Sequence, residues 1–240
     1  MSGLDGAARL HLATVDSTSL EAARHAPPVW VGAGRQTGAR GRRGRAWSSP
    51  PGNLALSLAY EPPGGPAEHA LRSFVASLAL HDALTALGEA DLALKWPNDV
   101  LQADRKLAGI LLEAPRPGLL VVGIGVNVAA APDPATLEPG ATPPANLAGR
   151  VPRDALRDAL IERYAAWEDR LVRDGFAPIR TAWLARAARL GQPMVARTAT
   201  RTLHGTFETI DAMGQLVVGT EAGPVTVPAA DVHFEAAPCS

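Results

Sequence analysis

The chain has 240 residues, 47% of them hydrophobic, enough apolar material for one large domain or a medium domain with a small one. Its 23 lysines and arginines nearly balance 24 aspartates and glutamates, and a net charge of −1 excludes a global attraction to nucleic acid or an acidic membrane. No apolar run is long enough to cross a bilayer, no secretory signal opens the chain, and the single cysteine, Cys239, cannot close an internal disulfide and reads as an inert tail thiol, so the expected compartment is the cytoplasm. In chain order, "RLHLATV" (9–15) alternates as a strand does. It runs into "DSTSLEAAR", where Asp16, Ser17 or Thr18 caps a short helix and Glu21 stands in capping-box position after Thr18. "VWVGAG" (29–34) and "NLALSLAY" (53–60) are strands, the second ended by "EPPGGP". Residues 67–88 read as one long apolar helix closing on Gly88. "LALKW" (92–96) is a strand stopped by Pro97, and "RKLAGILLEA" (105–114) and "LLVVGIGVNV" (119–128) are neighbouring strands joined by "PRPG". Residues 130–150 are Pro-rich and read as a surface loop; 153–173 and 176–189 read as helices. After Gly191 the short segments "PMVARTA", "TLHGTFETI", "GQLVVGT" and "PVTVPAADVHF" predict a small all-β barrel of about fifty residues. The expected domains are 1–189 and 190–240.

Charge is concentrated in "QTGARGRRGRAW" (36–47), where Arg40, Arg42, Arg43 and Arg45 alternate with Gly38, Gly41 and Gly44. Arginine forks suit phosphate or carboxylate, and glycines expose backbone N–H groups. Like charges repel when no anion is present, so the loop is expected to be mobile when empty and ordered by an anionic ligand. An arginine–glycine arm for nucleic acid is the alternative, but the segment lies between two strands, not on a tail, and the rest of the chain is not basic. No G-x-x-x-x-G-K-[ST] phosphate loop exists in the sequence.

Only two of the basic residues are lysines, Lys95 and Lys106. In a chain that uses arginine almost throughout, a retained ammonium suggests a compact point charge aimed at one oxygen. In "LKWPND" (94–99) a strand delivers Lys95, and Asn98 and Asp99 follow the proline break. Asp99 can take Mg²⁺ through oxygen, although Pro-Asn-Asp is also ordinary turn chemistry. Lys106 precedes Gly109, where something can approach the backbone closely. In "GIGVNV" (123–128), Gly123, Gly125 and Asn127 share one strand face, which thins that strand for a packed neighbour or makes a floor for a flat ligand. This is not the dinucleotide fingerprint, because no third glycine or helix start follows. Ser17, Thr18 and Ser19 are short hydroxyls at a strand-to-helix junction, suited to a helix cap or to a neutral polar head group. The six histidines show no zinc-ligand spacing.

Taken in order, "DSTS", "QTGARGRRGRAW", "LKWPNDVL", "RKLAGILLE" and "GIGVNV" resemble the biotin–protein ligase family, and the β-rich tail resembles that family's SH3-like barrel. The resemblance implies an α+β fold: a mixed sheet with helices like the catalytic domain of class II aminoacyl-tRNA synthetases, then the barrel. It implies ATP and Mg²⁺ as cofactors, biotin as substrate, biotinyl-5′-AMP as intermediate, and transfer to one lysine of a biotin carboxyl carrier domain. Carried over by residue, Ser17, Thr18, Ser19 and Gln36 hold the ureido ring. Arg40, Gly41 and Arg42 close over biotin and the adenylate, and Arg45 and Trp47 face the nucleotide. Lys95, Asn98 and Asp99 handle phosphates and Mg²⁺, Lys106 meets the biotin carboxylate, and Asn127 reaches the nucleotide. Gly109, Gly123 and Gly125 let the flat ring approach the backbone. The catalytic set is Lys106, Arg42, Arg45 and Lys95.

The segment before "RLHLATV" leaves no room for the winged helix-turn-helix that some members use as repressors, so a ligase-only form without DNA binding is expected, not attached to membrane, as a monomer or weak homodimer. The family's loop usually reads Ala-Gly-Arg-Gly; here Gly38-Ala39 reverses the small pair, which predicts strain at Ala39 or a turn taken over by Gly38. Lipoate–protein ligase, with a related fold, is the nearest rival.

Overall fold

The structure, a computed structural model, describes residues 3, 4, 6–138, 140–198, 200–228 and 230–234; Cys239 lies outside the described residues. Seven strands form a mixed sheet: β1 (Ala8–Val15), β2 (Val29–Gln36), β3 (Leu54–Tyr60), β4 (Leu92–Lys95), β5 (Asp99–Gln102), β6 (Arg105–Arg116) and β7 (Leu119–Val126). Their order is β1-β2-β3-β7-β6-β5-β4; β1 and β2 run parallel and the other pairs antiparallel.

Strand alternation splits the sheet into two unlike faces. On one, Leu54, Leu56, Leu58, Tyr60, Ile110, Val122, Ile124 and Val126 pack into the main core. That core is closed by α3 (Arg72–Ala86), α4 (Arg153–Asp174) and α5 (Phe176–Leu184). Helix α3 is buried nearly all round, as expected for a helix between a sheet and a second helical layer. On the other face a small cluster of Val29, Val31, Ala59, Leu119 and Val121 receives the short helix α1 (Thr18–Ala22) through Ala22. The rest of that face is thinned by glycine and small residues at its centre. Asp99, Gly109, Gly125 and Ala55 lie side by side across β5, β6, β7 and β3, and Leu111, Gly123 and Ser57 make the next rung. These rungs leave room for a site.

Several elements differ from the sequence reading. The expected helix 67–88 is two, α2 (Pro66–Ala70) and α3, because the Glu68 carbonyl accepts Leu71 N at 3.1 Å and Arg72 Nη1 at 2.8 Å in place of a regular helical bond. The α1 cap is Ser17, and Glu21 turns to Arg24 and His25 in place of closing a capping box. The helix read over 176–189 stops at Leu184, and the chain then pairs with β4: Leu94 N donates to Arg186 O and Ala188 N to Leu94 O, both at 2.8 Å. That contact covers a sheet edge that would otherwise present unpaired backbone groups. The turn after Lys95 opens an additional strand, β5.

The last strands, β8 (Pro193–Arg197), β9 (Thr202–Ile210), β10 (Leu216–Thr220), β11 (Gly223–Val227) and β12 (Asp231–Phe234), form a five-stranded antiparallel sheet in the order β11-β10-β9-β8-β12. "PVTVPAADVHF" is therefore two strands that lie at opposite ends of this sheet. Met194, Phe207, Ile210 and Val218 join the main core, and Trp96 Nε1 donates to Gly214 O at 3.0 Å. The β-rich tail is thus anchored beside Lys95. Among the described residues, no helix is long and apolar enough to cross a membrane.

Candidate active site

A cavity of about 710 Å³ opens over the glycine rungs. Its lining gathers Ser17, Thr18, Ser19, Gln36, Arg40, Gly41, Arg42, Arg45, Trp47, Lys95, Asn98, Asp99, Lys106, Gly109, Gly123, Gly125 and Asn127, residues the sequence scatters over more than a hundred positions.

At the α1 end the lining is neutral, hydrogen-bonded and, apart from the half-buried Gln36, buried. Ser17, Thr18 and Ser19 are each less than a tenth exposed. Gln36 Oε1 accepts from Thr18 N at 2.8 Å and from Thr18 Oγ1 at 3.0 Å. A side chain at Gly123 would place its Cβ 2.7 Å from Ser19 Oγ, so only glycine admits this hydroxyl so close to the sheet.

The middle of the floor is covered by the protein's own indole. An added Cβ at Gly125 would lie 2.6 Å from Trp47 Nε1, and one at Gly109 would lie 3.1 Å from Trp47 Cζ3. The glycines expected beneath a flat ligand thus also seat Trp47, with Lys106 Nζ 5.6 Å from the ring centroid.

The opposite end is cationic. Lys95 is 8% exposed, and its Nζ donates to Thr142 Oγ1 at 2.6 Å. Burial lowers the pKa of its ammonium, Asp99 and Asp231 counter that effect, and Lys106 adds to it. An anion bound here would relieve the cost of burying this charge. Burial likewise lowers the pKa of Arg42, opposed by Asp231. Arg42 Nη1 reaches Asn98 Oδ1 at 3.5 Å, while Asn98 Nδ2 donates to Ile110 O at 2.7 Å and ties the turn after Lys95 to β6. Lys106 Nζ is 2.7 Å from Asp99 Oδ1, a close ion pair, yet that buried oxygen receives no well-directed hydrogen bond. Asp99 Oδ1 thus already faces one cation, the Lys106 ammonium.

The arginine loop is held by its own backbone and by a distant carboxylate. Gly41 N donates to Arg45 O at 2.7 Å and Trp47 N to Ala39 O at 3.0 Å. Arg45 donates to Asp231 Oδ2 at 2.8 Å, and Arg43 contacts the same oxygen. Burial would raise the pKa of Asp231, but the Arg45 hydrogen bond and the charges of Arg45, Arg43 and Arg42 outweigh it and hold the pKa below its ordinary value. The reversed Gly38-Ala39 pair carries no strain. Neither residue has a positive φ; the left-handed turn falls at Arg43 (φ 56°) and Gly44 (φ 74°).

Sequence reasoning missed several wall residues. The segment read as a surface loop pairs with β6: Lys106 N donates to Pro143 O at 2.7 Å and Ala145 N to Lys106 O at 2.8 Å. It supplies Thr142 and Pro144 to the cavity and is pinned by Asn127 Nδ2 to Ala145 O at 3.0 Å. Asn127 thus holds the wall as well as lining it. From β12 come Asp231 and His233, whose Nδ1 lies 2.9 Å from Gly140 O. Nothing in the sequence marks these residues. Ser57, fully buried behind Thr18, had a signal: it is the one serine in an otherwise apolar run, Leu54–Ala59.

Comparison with known proteins shows the family. Residues 13–128 match the biotin/lipoate A/B protein ligase family, and residues 190–234 match the biotin protein ligase C terminal domain. A protein from Paracoccus denitrificans named biotin--[acetyl-CoA-carboxylase] ligase is 50% identical over 93% of this chain and 99% of its own. The bifunctional ligase/repressor BirA of Bacillus subtilis is 30% identical over 93% of this chain and 72% of its own. The structure of the Aquifex aeolicus biotin protein ligase in complex with biotin and ATP superposes with a TM-score of 0.84 at 23% identity, covering 95% of this chain and 99% of that one. The Leishmania major biotin protein ligase in complex with biotinyl-5-AMP gives 0.64 at 21% identity, over 96% and 99%. With its mixed sheet, its glycine-floored cavity and a relative sharing half its residues over nearly its full length, the chain belongs to the biotin protein ligase family.

Proposed function

We propose that the cavity joins biotin to ATP and then passes the biotinyl group to one lysine of a biotin carboxyl carrier domain. A single observation carries this reading: one cavity has a neutral, hydrogen-bonding end and a cationic end, and Lys106 stands beside the floor between them. The neutral end suits an uncharged cyclic urea. The cationic end suits phosphates.

The carboxylate of biotin, directed by Lys106, attacks the α-phosphorus of ATP. The new bond is carboxyl oxygen to phosphorus, and the bond that breaks releases pyrophosphate. Negative charge on the transferring group is met by Arg42, Arg45, Lys95 and Lys106, so catalysis rests on positioning and preorganised charge. The Asp99 carboxylate would hold a magnesium ion together with the substrate phosphates, in keeping with the usual ligation by one or two carboxylates, and the ion would neutralise phosphate charge there. In the second step the neutral amine of the carrier lysine attacks the acyl carbon, AMP departs, and the amine's proton leaves to solvent. The arginine loop shields the mixed anhydride from water in between.

The test is ATP–pyrophosphate exchange by the pure protein with biotin, with lipoate and with neither. Biotin-dependent exchange is the expected result. Faster exchange with lipoate would replace the substrate, and no exchange together with no biotin binding would overturn the reading.

A further inference from the structure

The hydrogen bonds around α1 have a direction that can be derived from one fixed point. A backbone N–H can only donate, so the Gln36 amide atom 2.8 Å from Thr18 N is the oxygen, and Nε2 faces Ser49 Oγ at 3.3 Å. That oxygen has no proton, so across the 3.0 Å contact Thr18 Oγ1 must donate to it. A hydroxyl carries one proton and two acceptor lone pairs. The Thr18 proton is now committed, and Ser57 Oγ at 2.8 Å must donate to Thr18 Oγ1. With the Ser57 proton committed in turn, Ser19 is the donor across its 3.1 Å contact with Ser57. The chain therefore runs Ser19 to Ser57 to Thr18 to Gln36. Thr18 Oγ1 keeps one lone pair. Ser17 Oγ already accepts the Leu20 N–H at 3.5 Å, so its own proton is available to donate into the cavity that Ser17 lines. Gln36 Nε2 has a second N–H beyond the one directed at Ser49.

We propose that Ser57, which is fully buried and does not line the cavity, is a positioning residue: Gln36 takes the Thr18 proton, so Thr18 can only accept, and Ser57, by donating to one of its two lone pairs, aims the other at a ligand presenting an N–H beside a carbonyl. This rests on the biotin reading above and deepens it, since a cyclic urea offers that pair of groups. Ser57 acts twice. It supplies a donor to one Thr18 lone pair, and it accepts the Ser19 proton, which keeps that proton from turning into the cavity that Ser19 lines. It sits opposite Gly123 in the β3–β7 register, so the sheet holds its position.

The experiment is calorimetric titration of biotin, of ATP, and of a biotin analogue methylated at the ureido nitrogens, into wild type, Ser57→Ala and Ser57→Cys. Loss of one supported hydrogen bond predicts biotin binding weakened about tenfold in Ser57→Ala. ATP binding should stay unchanged, and the cysteine, a weak donor of similar size, should lie between wild type and alanine. The methylated analogue has no N–H for Thr18, so it should bind wild type and Ser57→Ala alike, within about twofold, because the supported contact is already missing. Unchanged biotin affinity in the alanine variant would overturn the proposal. So would equal weakening of biotin and ATP, or equal losses for biotin and the analogue. If the alanine variant fails to fold, the cysteine variant decides: a several-fold loss for biotin alone supports the relay, and wild-type affinity overturns it. Absence of biotin binding by wild type would instead overturn the ureido reading, and the inference with it.

Discussion

The two ends of the cavity are built on opposite principles. At the α1 end the serine and threonine hydroxyls are buried, Gln36 is half-buried, and all are neutral and already bonded to a neighbour, so recognition there is prepaid in folding. At the loop end Arg40, Arg43 and Arg45 are exposed, and Arg43 and Arg45 share one carboxylate borrowed from β12. The difference fits what each end would bind in the proposed reaction. A neutral head group offers only hydrogen bonds, and these discriminate when the site's own groups are aligned in advance and lose their partner with the wrong ligand. A polyphosphate offers charge, which attracts over a longer range and tolerates a loop that exchanges one anion for another.

The largest effect should come where the two ends meet. In the proposed reaction Lys106→Ala removes a charge that meets the reacting groups, at a cost of about 3 kcal/mol or more, and biotin-dependent pyrophosphate exchange should fall at least about a hundredfold. Near-normal exchange would remove Lys106 from the chemistry. Gly125→Ala comes next. Its Cβ would lie 2.6 Å from Trp47 Nε1, so the indole must move. Overpacking of this kind costs about 1–3 kcal/mol, and the KM values for both biotin and ATP should rise about tenfold, because the flat ring and Trp47 share this floor. A biotin KM left unchanged would mean that Gly125 seats Trp47 alone.

A smaller effect is expected at Asp231, a partly exposed partner. Asp231→Asn should cost the loop no more than about 1 kcal/mol and speed tryptic cleavage within residues 40–45 of the ligand-free protein a few-fold. Biotin plus ATP should suppress that cleavage in both proteins, and equal cleavage with and without ligands would break the picture of a loop that orders on an anion. The pH dependence is the finest test. The folded pKa of Asp231 lies below its ordinary value, so its stabilising contribution is present above the unfolded carboxylate pKa and disappears as pH falls through the lower, folded value. Loop cleavage in wild type, followed with an acid-tolerant protease, should therefore rise only below the usual carboxylate range, and Asp231→Asn should show no such rise. An early rise near neutral pH would implicate another group.

Much of the site was legible because its residues are chemically unusual where they stand. Two lysines in an arginine-rich chain, glycines inside an arginine cluster, and hydroxyls at a strand end each break a local pattern. Strand alternation also placed Gly123 and Gly125 on one face. What could not be read was whatever acts through backbone or from afar. The Pro-rich wall works through the carbonyl of Pro143 and the N–H of Ala145, groups that every sequence contains. The helix break at Leu71 depends on the Arg72 guanidinium reaching the Glu68 carbonyl, which no periodicity reveals.

The sequence by itself determined the strand faces, the run of site motifs and the family they resemble, because hydrophobic period and residue chemistry are local properties. Only the tertiary structure decided that Asp231, almost two hundred positions away, grips Arg43 and Arg45, that Trp47 lies on Gly109 and Gly125, and that Ser57 sits behind Thr18. Those contacts depend on sheet order and register, which bring distant residues within a few ångströms and leave no trace in local pattern.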